Sequence, residues 1–229
     1  MSEAAIQEHL SPEAGYDLAA VHYDDWSWQD FWREHEFPLV RRFLESRPSP
    51  RGDLLDVGCG TGYYLGRLRD LFERASGVDL SEGMLAVARS GHPALDLRKG
   101  GAESLPFPDA SFEAVICCRV LTHVRDVDSA FAEIGRVLRP RGLAVVTNID
   151  ADHPYGSTRL PTADGSVFVE TIKHTAPELV ASAGRNGLLK RYCGFLGMYG
   201  DVVEMAARPS WDESIVSSFM VFDRGQPAL

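Results

Sequence analysis

Gly58, Gly60 and Gly62 alternate through the stretch DLLDVGCGTG (Asp53 to Gly62), and two acids, Asp56 and Asp79, stand within and after it. Glycines at this spacing allow positive φ and let a ligand lie directly on the backbone. The pattern is G-x-G-x-G. It departs from the dinucleotide pattern G-x-G-x-x-G, because the last glycine comes one residue early and Tyr63 stands where that pattern wants a small residue. No G-x-x-x-x-G-K-[S/T] run is present, which excludes a P-loop. A carboxylate at Asp79, 23 residues beyond Asp56, suits the two hydroxyls of a ribose. Asp56 beside the turn repels a pyrophosphate and can help to hold an ammonium group. The chemistry implied is the binding of a nucleoside that carries an amino-acid tail.

Such residues need a strand, a tight turn and a helix to present them. Asp53 to Val57 is a short apolar run ended by glycines and reads as a buried strand, followed by a helix from Tyr63 to Glu73. The rhythm continues with strand Ala75 to Asp79, helix Ser81 to Ser90 capped by Ser81, and strand Leu95 to Lys99. After a proline-bearing loop come strand Phe112 to Cys118 and a strongly periodic helix from a cap at Asp126 to Leu138. RPRG (Arg139 to Gly142) reads as a turn before strand Leu143 to Ile149. Strands and helices alternating at this spacing predict parallel βαβ units with right-handed crossovers. Thr175 caps a helix from Pro177 to about Asn186, and Leu188 to Leu196 and Ile215 to Phe222 read as final strands forming an antiparallel edge. The expected fold is α/β: a Rossmann-like, doubly wound, mostly parallel seven-stranded sheet with an antiparallel edge strand.

Two regions stand apart from this rhythm. Aromatic residues crowd the stretch from Tyr16 to Phe43, with a helix expected from Gln29 to Glu45, capped by Ser27 and ended by RPSP (Arg47 to Pro50). Residues 1–50 are therefore expected to form an N-terminal helical lid on a binding domain of residues 51–229. Asn148 to Gly165 is polar and turn-rich, long for a plain connection, and Val167 to Ile172 suits a strand. The segment at about 150–175 is expected to be a substrate-loop insertion.

The formal charge of −10 disfavours nucleic acid and anionic membrane as partners, since both need a basic face. Four cysteines, Cys59, Cys117, Cys118 and Cys193, are too few for a disulfide framework, and the adjacent pair is wrong for a zinc site. No histidine–carboxylate spacing suggests a metal. The first residues lack a signal-peptide pattern and no apolar run reaches membrane-spanning length, so a cytoplasmic location is expected. Nothing in the sequence fixes the oligomeric state, and a homodimer stays open.

The chain resembles the class I S-adenosylmethionine-dependent methyltransferases, especially the subgroup with ubiquinone, menaquinone and small natural-product methyltransferases. The residues that carry the resemblance are LLDVGCGTG (Leu54 to Gly62), GVDLSEGMLAVAR (Gly77 to Arg89), AESLPFPDASFEAV (Ala102 to Val115) and AEIGRVLRPRG (Ala132 to Gly142), with YDLAAVHYD (Tyr16 to Asp24) similar to that subgroup's start. It runs from about residue 16 to residue 149 and thins beyond. The resemblance implies S-adenosyl-L-methionine as cofactor. It places Gly58, Gly60 and Gly62 on the methionine part, Asp56 orienting the turn and the ammonium, Asp79 on the ribose, and Leu80 and Met84 against the adenine. Ala102 and Glu103 border the adenine edge, Cys118 or Arg119 follows a strand near the sulfonium, and Tyr23 closes over the cofactor. Gly101 stands where the family often has an aspartate for the adenine amino group.

Methyl transfer is an in-line displacement of an already activated leaving group, so alignment matters most and a base helps only a protonated acceptor. Candidate catalytic residues are His123, His153 and Tyr155, each past the carboxyl end of an expected strand. His123 equally suits a packing role beside the cofactor, and Arg119 a pair with a substrate carboxylate or a surface acid. Asn148 starts no N-P-P-[Y/F] motif, which speaks against nucleic-acid bases as acceptors. The expected reaction is methyl transfer to O, N or C of a small organic acceptor. A non-methylating reaction of the same fold, such as cofactor cyclisation, and a non-catalytic nucleoside-binding regulatory module are the alternatives.

Overall fold

The computed structural model describes residues 9–46, 52–154, 156–207 and 214–225. The chain enters through a two-residue strand β1 (His9–Leu10) and helix α1 (Pro12–Ala19), capped by Ser11. A 3-10 turn, Ala20–Asp25, leads to α2 (Gln29–Phe31), a π turn at Trp32–Glu36 and α3 (Phe37–Glu45). The expected helix over Gln29 to Glu45 is thus present but interrupted by the π turn. Ser27 does not cap it, for Trp28 holds the N-cap position without a side-chain bond. The RPSP stop lies outside the described residues.

The alternation from Asp53 onward follows the apolar pattern closely. Its first half is β2 (Asp53–Val57), α4 (Tyr63–Leu68), β3 (Arg74–Asp79), α5 (Glu82–Gly91) and β4 (Asp96–Lys99). Next come β5 (Phe112–Cys118), α6 (Val127–Val137) and β6 (Leu138–Ile149). Ser81 and Asp126 each accept from the backbone as the caps of α5 and α6. A hairpin, β7 (Thr158–Thr162) and β8 (Gly165–Val169), precedes α7 (Ala176–Arg185), β9 (Leu188–Gly197), β10 (Val202–Glu204) and β11 (Ile215–Arg224). Thr175 and Glu178 form a reciprocal capping box at α7.

The main sheet has eight strands in the order β10-β9-β11-β6-β5-β2-β3-β4. β6, β5, β2, β3 and β4 are parallel, and β11 runs antiparallel between β6 and β9. The eighth strand, β10, escapes the sequence reading because it is three residues long with no buried face. The RPRG segment is no separate turn: pairing jumps from Phe112 opposite Leu138 to Ala114 opposite Leu143, so Arg139 to Gly142 bulge out of one continuous strand. Arg141 takes positive φ in that bulge.

Alternation along the strands sorts the core onto two faces. Val115, Cys117, Ala144, Val146, Met220 and Phe222 pack with α6 and α7, whereas Ala114, Ile116, Leu143, Val145, Phe219 and Val221 pack with α3 and α4. Doubly wound packing leaves the carboxyl ends of β2 to β6 side by side at one end of the sheet. A second sheet, β1-β8-β7, joins the N-terminal strand in parallel to the hairpin from residues 158–169. β7 arises within the stretch read as a polar loop; Pro161 is tolerated because β7 is an edge strand.

Candidate active site

The turn after β2 is built as its glycines foretell. Gly58, Gly60 and Gly62 have φ of 71°, 52° and 82°, where an L side chain is strained. The amides of Gly58 and Cys59 donate to the Val78 carbonyl, pinning the turn to β3. Asp79 accepts from the Gly60 amide through Oδ2 at 2.8 Å and from the Ser81 amide through Oδ1 at 2.9 Å. Each carboxylate oxygen keeps a lone pair for another donor. Burial raises the Asp79 carboxyl above its ordinary value, against the opposing effect of those amides.

A cavity of about 1110 Å³, mouth included, opens over this turn. Gly58, Gly60, Asp79, Leu80, Ala102, Glu103, Cys118 and Arg119 line it, as do Tyr23, His123 and His153. Eleven separately chosen residues therefore meet in one space. Asp56, Gly62 and Met84 are not among the lining residues. Asp56 is buried within β2, and that burial, reinforced by Asp79, pushes its carboxyl well above the ordinary carboxylate range. Gly62 heads α4 and packs toward His92 and Ala88, and Met84 is fully buried at the start of α5. Tyr155 lies outside the described residues.

One end of the cavity suits a flat, apolar base. Leu80 is 43% exposed on the wall, next to Gly101, Ala102 and Glu103. The loop that carries these residues is held by α6: Glu133 accepts from the Leu105 amide, while Arg136 donates to the carbonyls of Leu105 and Phe107. The glycine turn without side chains, the paired lone pairs of Asp79 and the apolar wall beyond it fit a ribose and purine with an amino-acid tail, so the residues present match S-adenosylmethionine.

The other end is aromatic and comes from the N-terminal residues. Tyr16, Tyr23, Trp26, Trp28 and Trp32 line it together with Ile149 and Val216. Trp28 stacks on Trp32 and meets His153 edge-on, and Tyr23 lies against Tyr16 and Trp26. This roof is tied down at several points. Asp17 accepts from the Ser81 hydroxyl and the Gly83 amide, Asp24 accepts from the Thr61 hydroxyl, and Lys99 donates to Glu13.

His123 sits between roof and sheet. Its Nδ1 lies 2.7 Å from the Glu170 carbonyl, which can only accept, so Nδ1 carries the proton. Nε2 is then an acceptor, 2.9 Å from the Tyr16 hydroxyl that donates to it. Burial lowers the His123 pKa, favouring this neutral tautomer. The thiols of Cys117 and Cys118 are pushed up by burial, which leaves neither a thiolate nucleophile.

Arg119 does not pair with a surface acid. Its Nη1 donates to Glu36, a fully buried carboxylate on the π turn, and to the Tyr64 hydroxyl, and its guanidinium lies 4.5 Å from the Trp32 ring centre. Arg119 itself has φ of 61°. Positive φ on a non-glycine residue and a π turn both gather at functional sites. Sequence reasoning missed Glu36, which looks like one more exposed helix acid.

A family model described as a methyltransferase domain matches residues 55–146. A probable S-adenosylmethionine-dependent methyltransferase of Mycolicibacterium smegmatis is 29% identical over 203 residues, 82% of this chain and 77% of that protein. A malonyl-[acyl-carrier protein] O-methyltransferase of Serratia marcescens is 37% identical, over 66% of this chain and 55% of its own length. Residues 55–146 thus carry a methyltransferase domain, and the chain is similar to S-adenosylmethionine-dependent methyltransferases over most of its length. The structure titled "DhpI-SAH complex structure" shares the fold, with a TM-score of 0.67 at 19% identity over 93% of this chain and 95% of that one. The chain spans about half the length of several curated relatives it matches. Among the described residues no helix is long and apolar enough to cross a membrane, and no cluster of ligand side chains could hold a metal ion.

Proposed function

We propose that this protein transfers the methyl group of S-adenosylmethionine to an O, N or C atom of a small organic acceptor. The observation that carries the reading is one cavity with two unlike ends: a glycine, Asp79 and Leu80 end for the cofactor and an aromatic end, bordered by His123, for the acceptor. Asp79 takes the ribose hydroxyls, Gly58 and Gly60 lie under the methionine part, and Leu80, Ala102 and Glu103 flank the adenine. Cys118 and Arg119 border the sulfonium region and Tyr23 covers it. Asp56, Gly62 and Met84 support this seat from behind.

The cofactor, when bound, supplies a methyl on a positively charged sulfur, so the chain's own task is to align an acceptor and keep water away. The roof from Tyr16 to Trp32 does the latter. His123 is the base for a protonated acceptor: its Nε2 lone pair takes the proton either directly, in place of the Tyr16 hydroxyl, or through Tyr16, which passes on its own proton and receives the acceptor's. His153 lines the same end and contacts the acceptor.

Asp79→Ala should weaken S-adenosylhomocysteine binding by about 1–3 kcal/mol, the cost of losing hydrogen bonds to two hydroxyls. Calorimetry showing unchanged affinity would sink the ribose assignment. Incubation with S-adenosylmethionine and candidate small acceptors should yield S-adenosylhomocysteine; methylthioadenosine instead would favour a cyclising reaction.

A further inference from the structure

The buried polar atoms without a partner among the described residues include the indole Nε1 of Trp32, the hydroxyls of Thr147 and Ser217, and Oε2 of Glu36. Strand register places the two hydroxyls on one face of the sheet. Thr147 continues the Leu143–Val145 side of β6, and Ser217 the Phe219–Val221 side of β11, with Thr147 opposite Phe219 and Ser217 opposite Ile149. That is the face covered by α3 and α4, and the π turn that carries Trp32 and Glu36 leads straight into α3. The Arg119 amide donates to the Thr147 carbonyl, and the Cys118 sulfur lies beside the Thr147 hydroxyl. Trp32, Arg119, Ile149 and Val216 reach the cavity wall.

Two donor-bearing side chains, the Trp32 indole and the Arg119 guanidinium, line this end of the cavity, and the Thr147 and Ser217 hydroxyls are buried on one face of the sheet. Unmade hydrogen bonds at buried sites are costly, so such a set marks the place of an oxygen that belongs to a ligand. The charge of that oxygen follows from Glu36. The buried carboxylate already balances Arg119, so a ligand carboxylate would enter a low-dielectric site as an uncompensated charge. An uncharged carbonyl takes the same donors without that penalty.

We propose that the deep end of the acceptor cavity recognises an uncharged carbonyl oxygen of an aromatic or otherwise apolar acceptor, through Arg119 and Trp32, with Glu36 setting the charge selection. The inference rests on the methyltransferase reading and names its acceptor class. Glu36 acts through Arg119 and is a positioning residue.

The test is a tryptophan-fluorescence titration of the full chain, saturated with S-adenosylhomocysteine, using methyl 4-hydroxybenzoate, 4-hydroxybenzoate and 4-ethylphenol as probes. The ester should bind about tenfold more tightly than either the acid or the phenol without a carbonyl. Arg119→Met should remove the ester's advantage over 4-ethylphenol. Glu36→Gln, which leaves the guanidinium unbalanced, should reverse the order of ester and acid. The proposal is overturned if the wild type binds the acid as well as the ester, if Arg119→Met keeps the ester's advantage, or if Glu36→Gln leaves the order unchanged. Should Glu36→Gln fail to fold by circular dichroism, Trp32→Phe takes its place: a smaller ester advantage supports the proposal and an unchanged one overturns it. S-adenosylhomocysteine binding is measured first by calorimetry. Its absence would bring down the methyltransferase reading too, whereas a wrong probe order with that binding intact breaks this inference alone.

Discussion

The two ends of the cavity are built by opposite strategies. At the cofactor end, Gly58, Gly60, Gly100 and Gly101 leave the wall without side chains, and Asp79 is held by the backbone amides of Gly60 and Ser81. At the acceptor end the wall is made of large side chains from residues 12–32, 118–124, 149–158 and 216, brought together only by the fold. A ligand held by backbone geometry tolerates little change in the chain. One held by side chains can be exchanged by substitution, which lets relatives share a cofactor seat while their acceptors differ.

If the ends work separately, variants should affect one without the other. The largest effect is expected at His123. His123→Ala should lower turnover by roughly 10²–10⁴-fold toward a hydroxyl acceptor, with S-adenosylhomocysteine affinity unchanged. A matching loss of cofactor affinity would merge the two ends into one. The same residue predicts a pH profile. His123 must be deprotonated to accept a proton, and burial holds its pKa below the ordinary value of 6.5, so turnover should rise with pH along an acid limb centred below 6.5. An acid limb centred above 6.5 would remove His123 from the role.

Asp79→Ala comes next, at about 1–3 kcal/mol of cofactor affinity, and it should leave the probe order at the acceptor end untouched. Gly58→Ala should cost about 1–3 kcal/mol of stability in chemical denaturation. Its φ of 71° is strained for any other residue, and a Cβ there would clash with the Val120 side chain. The smallest effect is expected at the tie between roof and cofactor end. Asp17→Asn weakens the bonds to Ser81 and Gly83 and should cost a few tenths to about 1 kcal/mol, since the group is exposed. The Ser81 hydroxyl, foremost, and the Gly83 amide hold the Asp17 carboxyl below 3.8, so its contribution is present above that pH and lost as pH falls further. Wild type and variant should therefore converge in stability toward low pH; a constant gap would contradict the assignment.

Legibility in the sequence divides along the same line. The strand–turn–helix of Asp53 to Leu68, the caps Ser81, Asp126 and Thr175, and the parallel core were readable because each depends on neighbours a few residues away. β7 hid in a polar stretch, as it is an edge strand that takes its pairing from β8 alone. Glu36 and Trp32 looked like an ordinary acid and an ordinary packing aromatic. Their significance comes from Arg119, 83 residues away from Glu36, and from hydroxyls on β6 and β11. No local pattern encodes a partner at that distance.

The pairing of β1 with β8 carries a consequence for how the chain is made. His9 lies opposite Phe168 and Leu10 opposite Val169, so an emerging chain holds β1 unpaired until β8, 159 residues further on, has been made. The parallel units that seat the cofactor can close long before that. Synthesis therefore passes through a species with those parallel units formed and β1 still unpaired, which pulse-labelled hydrogen exchange at the Glu170 amide, bonded to the Leu10 carbonyl, would register as late protection.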